Sequence, residues 1–167
     1  MLVVGIVAPS TARAQVVPSP PWGEPIQDAL FRFVVLPSYN YQAVYDNETG
    51  LVWEQAPATT ARDWANAQFY CNNKTVGNRK GWRLPTIQEL ASLIDPTVPF
   101  PGPTLPDNHP FNVITTVPSF YWSATSSVSF TSLAWGAFFT SGTVNTNIRA
   151  NPFFVWCVRG GRGVDAQ

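Results

Sequence analysis

Gly81-Trp82-Arg83-Leu84-Pro85-Thr86-Ile87-Gln88-Glu89-Leu90 reads as a short buried strand running straight into a capped helix. Pro85 fixes its own φ and holds Leu84 extended, so the helix cannot begin before Thr86. Thr86 and Glu89 stand at capping-box spacing. The hydroxyl can accept from the Glu89 amide while the carboxylate reaches back to the Thr86 amide. Ile87, Leu90, Ala91 and Ile94 follow at i, i+3, i+4 and i+7 as one apolar stripe, and Asp95-Pro96 ends it. Arg83 lies between Trp82 and Leu84, where a strand alternates its faces. Its guanidinium is therefore expected to serve structure, reaching backbone carbonyls or a carboxylate such as Glu89 or Asp95.

The rest of the chain sets the context of that stretch. A length of 167 residues suits one domain with tails. Charged residues make up 12%, against about 25% in an ordinary soluble domain. Aromatics make up 14%, with seven Trp, and there are 16 Pro. That composition implies few long helices and many strands, turns and irregular loops. A net charge of zero gives no electrostatic case for nucleic acid or for an anionic membrane. Low charge with many aromatic rings suits a surface that meets sugar rings or protein neighbours.

Toward the N-terminus, residues 1–14 resemble the end of a secretory signal. Residues 2–8 are a short apolar run, and Ala12-Arg13-Ala14 is an A-x-A-type cleavage site. No basic residue precedes the run, so a start further upstream is expected. The run is too short to span a bilayer. A secreted, cell-surface or periplasmic location follows as an expectation. Residues 15–38 form a Pro-rich arm, extended by Pro18, Pro20, Pro21 and Pro25. Within it, residues 29–36 read as a strand with Phe31, Phe33 and Val35 on one face. This strand could open the domain or pair with the sheet edge of a neighbouring copy. The prolines favour the second, an arm not wholly folded on its own domain.

Residues 39–45 and 51–54 form a strand pair around Asp46-Asn47-Glu48-Thr49-Gly50, with Gly50 supplying a positive φ. Asp46, Asn47 and Glu48 read as turn chemistry, with a cation site as the alternative. A helix is expected over residues 60–71, with Thr60 as N-cap, Asp63 in the first turn, and Trp64, Ala67 and Cys71 on one face. A polar loop with Lys74, Arg79 and Lys80 leads to the opening stretch. Trp53, Trp64, Trp82 and Trp122 suit the core; Trp22, Trp135 and Trp156 stay open between core and surface.

Residues 96–118 form a long proline-punctuated loop, and such loops are usually functional or flexible. Asp107, Asn108, His109 and Asn112 are its polar groups, and His109 is the only histidine of the chain. His109 reads either as a residue packing on prolines or as a ligand contact. Recognition is expected on this loop, with Trp135 as an added ring for stacking. Strands follow at residues 121–126, 133–140 and 153–159, joined by polar turns, and residues 162–167 are a tail.

Cys71 and Cys157 are the only cysteines, and an exported chain is expected to bond them, tying the first helix to the last strand. Two sulfurs and one histidine without CxxC spacing do not make a closed zinc shell, so no metal or cofactor is expected. No G-x-S-x-G elbow precedes a helix, and nothing marks Asp95 and Asp107 as a glycosidase pair. The expectation is a protein without enzymatic activity.

Six pieces occur in order. They are Asp46-x-x-Thr49-Gly50-Leu51-Val52-Trp53, Trp64-x-x-Ala67-x-x-x-Cys71, Gly81-Trp82-Arg83-Leu84-Pro85-Thr86-x-x-Glu89-Leu90, Tyr121-Trp122-Ser123-Ala124-Thr125, Ala134-Trp135, and Cys157-Val158-Arg159-Gly160-Gly161. Together they resemble the bacterial family named after the C-terminal domain of a collagen-like adhesin, the Lcl C-terminal domain family, over residues 39–161. The resemblance implies an α+β, C-type-lectin-like fold, similar also to the formylglycine-generating enzymes. Two helices would pack on small antiparallel sheets, with a long irregular loop region for binding. It implies an extracellular module that binds a glycan or surface polymer. The alternative is a structural subunit of a cell-surface or filamentous assembly, with neighbouring copies as partners. The Glu-Pro-Asn and Trp-Asn-Asp motifs of calcium-dependent lectins are absent, and so is a counterpart of the catalytic cysteine pair.

Overall fold

The computed structural model describes residues 29–113 and 120–161. The signal-like segment, the polyproline stretch before Ala29, the end of the long loop including Pro118, and the tail lie outside the described residues.

The elements run α1 (Ala29–Arg32), β1 (Phe33–Val35), β2 (Ala43–Asp46), β3 (Leu51–Glu54), β4 (Ala58–Arg62), α2 (Trp64–Asn73), α3 (Ile87–Ala91), β5 (Phe120–Ser126), β6 (Leu133–Phe138), β7 (Thr143–Ile148), β8 (Phe153–Val155) and β9 (Val158–Arg159). They form an α+β fold with two sheets, ordered β1-β2-β3-β9 and β4-β8-β5-β6-β7. The first sheet is antiparallel throughout. The second holds one parallel pair, β5 with β8, which corrects the expectation of purely antiparallel sheets.

The opening stretch folds largely as read. Thr86 caps α3, and both bonds of the capping box with Glu89 are made. The residues before it form a single bridge, Arg83 with Val158, rather than a strand. This bridge fastens the start of α3 to the last strand of the first sheet. Leu90 is buried as the stripe predicts, but so is Leu93, which lies off it. The helix ends at Ala91, so helical spacing no longer governs the residues beyond.

Four further expectations need correction. Residues 29–32 are a helical turn, not strand. The Arg32 side chain is drawn inward to the Asp46 carboxylate, at 3.0 and 2.9 Å, and to the Ser92 carbonyl at 2.8 Å. Phe31 is consequently left exposed. Second, β1 pairs with β2 of its own chain, and Phe33 packs edge-on to Phe111 in the core. Residues 29–36 are thus part of the domain rather than an arm reaching a neighbour. Third, Thr60 lies in β4, and Asp63 caps α2 by accepting from the Asn66 amide. Fourth, residues 153–159 divide between β8 and β9 in different sheets, and β7 occupies a region read as turns. The Asn-rich composition of β7 hid it.

Two apolar clusters hold the layers together. One gathers Phe33, Trp53, Leu90, Leu93, Phe111, Tyr121, Phe139 and Trp156. The other gathers Tyr39, Ala67, Cys71, Trp82, Leu84, Phe120, Trp122 and Cys157. Cys71 and Cys157 are bonded, with S–S 2.10 Å, inside the second cluster. Trp53, Trp82 and Trp122 are core, as is Trp156; Trp64 is half-buried.

Candidate functional site

The long loop is held to the domain at Thr104 and Leu105, the latter buried in the core, and again at Phe111 and Asn112. Thr104 donates its amide to the Phe139 carbonyl at 2.7 Å and its hydroxyl to the same oxygen at 3.0 Å. Gly102 beside it has φ +70°, and a Cβ there would fall 2.4 Å from the Phe139 oxygen, so only glycine lets the loop approach this closely. Phe111 enters the core, and Asn112 donates its amide to the Gln55 carbonyl at 2.8 Å.

Between these anchors lie Asp107, Asn108 and His109, three of the residues expected to bind. Asp107 and Asn108 are exposed, and Asn108 has φ 64°. His109 is half-buried and stacks on Phe111, with centroids 6.0 Å apart. Its Nδ1 accepts the Phe111 amide at 3.2 Å. Burial pushes the His109 imidazole below its usual pKa, while the Asp107 charge partly opposes this. Asn112 has an exposed side chain. Trp135 sits on a separate element: it is half-buried on β6 and faces Thr146 of β7 across the ladder. Its carbonyl accepts the Ser123 hydroxyl at 2.8 Å.

Asp107 also lines a cleft of about 640 Å³, walled by Pro96, Pro99 and Pro106. Arg32 also lines it, but the guanidinium is occupied by Asp46 and by Glu48 at 3.0 Å. Asp46 also accepts from the Glu48 amide and the Thr49 hydroxyl. Turn chemistry and an ion pair thus account for Asp46. Among the described residues no group of three or more His, Cys, Asp or Glu side chains is placed to hold a metal.

A second cleft, of about 600 Å³, runs along α2. The helix buries Ala67 and Cys71. Asn66, Phe69, Tyr70 and Asn73, at i, i+3, i+4 and i+7, all line the cleft with Arg62 and Lys74. Phe69 is 68% exposed on the outer face of the helix. The Arg62 guanidinium lies 3.9 Å from the Tyr70 ring centroid and Lys74 Nζ 4.6 Å from it. Lys74 also donates to the Tyr70 hydroxyl at 2.6 Å and pairs with the buried Glu54 carboxylate. Burial pulls the Lys74 ammonium down to about 8; the Glu54 carboxylate against it works the other way. Hydrogen bonds from the Asn66 amide and side chain hold Asp63 below the usual carboxylate range.

This cleft joins an open aromatic ring to planar amides and fixed cations. That set can stack on the apolar face of a sugar and hydrogen-bond its hydroxyls. The sequence reading did not single it out. The available signal was Phe69, an aromatic residue off the Trp64, Ala67 and Cys71 face of the same helix.

The family model described as the Lcl C-terminal domain matches residues 42–159. No curated protein matches the chain.

Proposed function

The chain belongs to the Lcl C-terminal domain family, and we propose on that premise that it is an extracellular, non-enzymatic binding module for a glycan or surface polymer. The observation that carries this reading is the outward face of α2, where Phe69 stands open between Asn66 and Asn73 beside Arg62 and Lys74. A pyranose would lay its C–H face on Phe69 and direct hydroxyls to the amides, with a cation beside any acidic substituent. The Cys71–Cys157 bond supports an oxidising compartment. Among the described residues no helix is long and apolar enough to cross a membrane. The fold is read as C-type-lectin-like. The pairing of β3 with the closing strand β9, the two helices α2 and α3, and the long pinned loop support this.

Binding to a glycan array, followed by calorimetry on the best ligand, tests the proposal. Phe69→Ala should weaken binding about tenfold or more, the scale of a lost stacking contact, with melting unchanged. Asp107→Ala and Asn108→Ala should have little effect. If only the loop changes weaken binding, recognition belongs to the cleft beside Pro96. An array without any binder removes the glycan reading. A second reading, a subunit of a surface assembly, is favoured by the edge of β7, which among the described residues pairs with β6 alone.

A further inference from the structure

Sheet edges attract other strands unless something blunts them. The first sheet ends in β1 and β9, of three and two residues. Among the described residues the second sheet ends in β4, whose pairing with β8 is interrupted by a register shift, and in β7. β7 differs from all of these. It has six residues in unbroken register with β6, and its sequence, Thr143 to Ile148, contains no charge, proline or glycine.

Its sequence also has a symmetry. Val144-Asn145-Thr146-Asn147-Ile148 has the same chemical order in both directions: apolar, amide, hydroxyl, amide, apolar. Val144 and Ile148 are 43% and 52% exposed. They share a face of the sheet with Thr146, Leu133 and Trp135, because residues directly opposite in a ladder point the same way. Phe130, 64% exposed, sits in the turn leading to Leu133, the partner of Ile148.

The backbone bonds fit the same symmetry. The amide of Thr146 donates to the Asn145 side chain at 2.8 Å, and that of Ile148 to the Asn147 side chain at 2.9 Å. Arg149, next along the strand, donates its amide inward to the Ser132 carbonyl at 2.9 Å, so by the alternation of the ladder Ile148, Thr146 and Val144 turn theirs outward.

We propose that β7 pairs antiparallel with β7 of a second copy of this chain, about a two-fold axis through Thr146. Thr146 then exchanges both backbone bonds with Thr146 of the second copy, and Val144 lies opposite Ile148 at each end. Asn145 and Asn147 release the amides they now hold and face one another on the other side of the sheet. The five-stranded sheet becomes a continuous sheet across two copies, with an apolar stripe of Val144, Ile148, Leu133 and Trp135 from each. A self-complementary strand is what an isologous interface needs. This inference does not rest on glycan binding.

Two double variants of the full chain test it by sedimentation velocity over a concentration series, with melting as the control for folding. Val144→Lys/Ile148→Lys sets like charges opposite one another and should turn a dimer into a monomer. Val144→Lys/Ile148→Glu sets opposite charges at the same two places and should remain dimeric. A wild-type chain that is monomeric at every concentration overturns the proposal, leaving the edge to another strand of this chain or of a different protein. So does an oligomer that survives the Lys/Lys change. Loss of the dimer in both variants overturns the Thr146 register.

Discussion

Arg83 and Glu89 face each other through two parallel bonds, Nη1 to Oε2 and Nη2 to Oε1, each 2.7 Å long. The same carboxylate accepts the Thr86 amide at 2.8 Å to close the capping box, and Nη2 also donates to the Gly160 carbonyl at 2.6 Å. One pair thus joins the start of α3 to the end of β9. A lysine keeps the charge but loses the planar fork that makes these bonds together. Arg83→Lys should therefore cost about 1–2 kcal/mol, given the pair's partial exposure. Urea unfolding will show it as a lower midpoint at constant m-value. An unchanged midpoint together with lost ligand binding would assign Arg83 to a ligand instead.

The disulfide closes a sequence separation of 86 residues between α2 and the segment joining β8 to β9. In the chain-entropy model such a loop is worth about 4–5 kcal/mol. Both sulfurs are fully buried among Tyr39, Trp82, Trp122 and Val155. The native protein should resist alkylation without reductant, and its intact mass should be two hydrogens below that of the reduced chain. The double change Cys71→Ala/Cys157→Ala should lower the melting temperature by more than any surface substitution discussed here. Two thiols that alkylate in the native protein would refute the bond.

Acid should destabilise the fold in two separate windows. The His109 pKa is lowered from 6.5 by burial, so the folded protein binds a proton there less readily than the unfolded chain does. Its contribution is complete above 6.5 and is lost as pH falls through the lower folded value. Burial would raise the Glu89 carboxyl, but the Arg83 bonds and charge and the Thr86 bonds outweigh it and leave it below 4.5. That contribution is present above 4.5 and is lost as pH falls through the folded value. Stability measured from pH 7 to 3, below the Lys74 titration near 8, should therefore fall in two steps. His109→Gln should flatten the upper step and leave the lower one; loss of both, or of neither, would contradict the assignment.

Local chemistry was the legible part of this fold. Thr86 and Glu89 announce α3 because a capping box is written in four residues. The hairpin at Asp46 to Gly50 is equally local. What the sequence hid depends on distant partners. Arg32 looks like the polar half of a strand alternation, yet it is buried because Asp46 and Ser92 come to meet it. β7 reads as turn because its apolar residues, Val144 and Ile148, are only two, and pairing with β6 decides its conformation. The candidate site behaved alike. The loop residues Asp107 and His109 stand out by type, whereas Phe69 gains meaning only once α2 shows which face is buried.

The segment at Arg32 gives the sharpest test of how far the domain extends. Asp46 is fully buried and Arg32 is 5% exposed. The carboxylate receives two bonds from that guanidinium. Removing one member of such a pair strands the other's charge in the interior, at a cost of about 3–5 kcal/mol. Phe33, also lost with this segment, adds about 1.5–3 kcal/mol of apolar burial against Phe111 and its neighbours. Domains of this size are stable by only about 5–15 kcal/mol in total. A chain beginning at Pro37 should therefore be strongly destabilised or unfolded relative to one beginning at Ala29. Arg32→Met should lose more stability than Asp46→Asn, because it leaves the carboxylate charged and unpaired. Equal melting of the two truncated chains would show that residues 29–36 are separable from the domain, and that β1 contributes nothing to the sheet it borders.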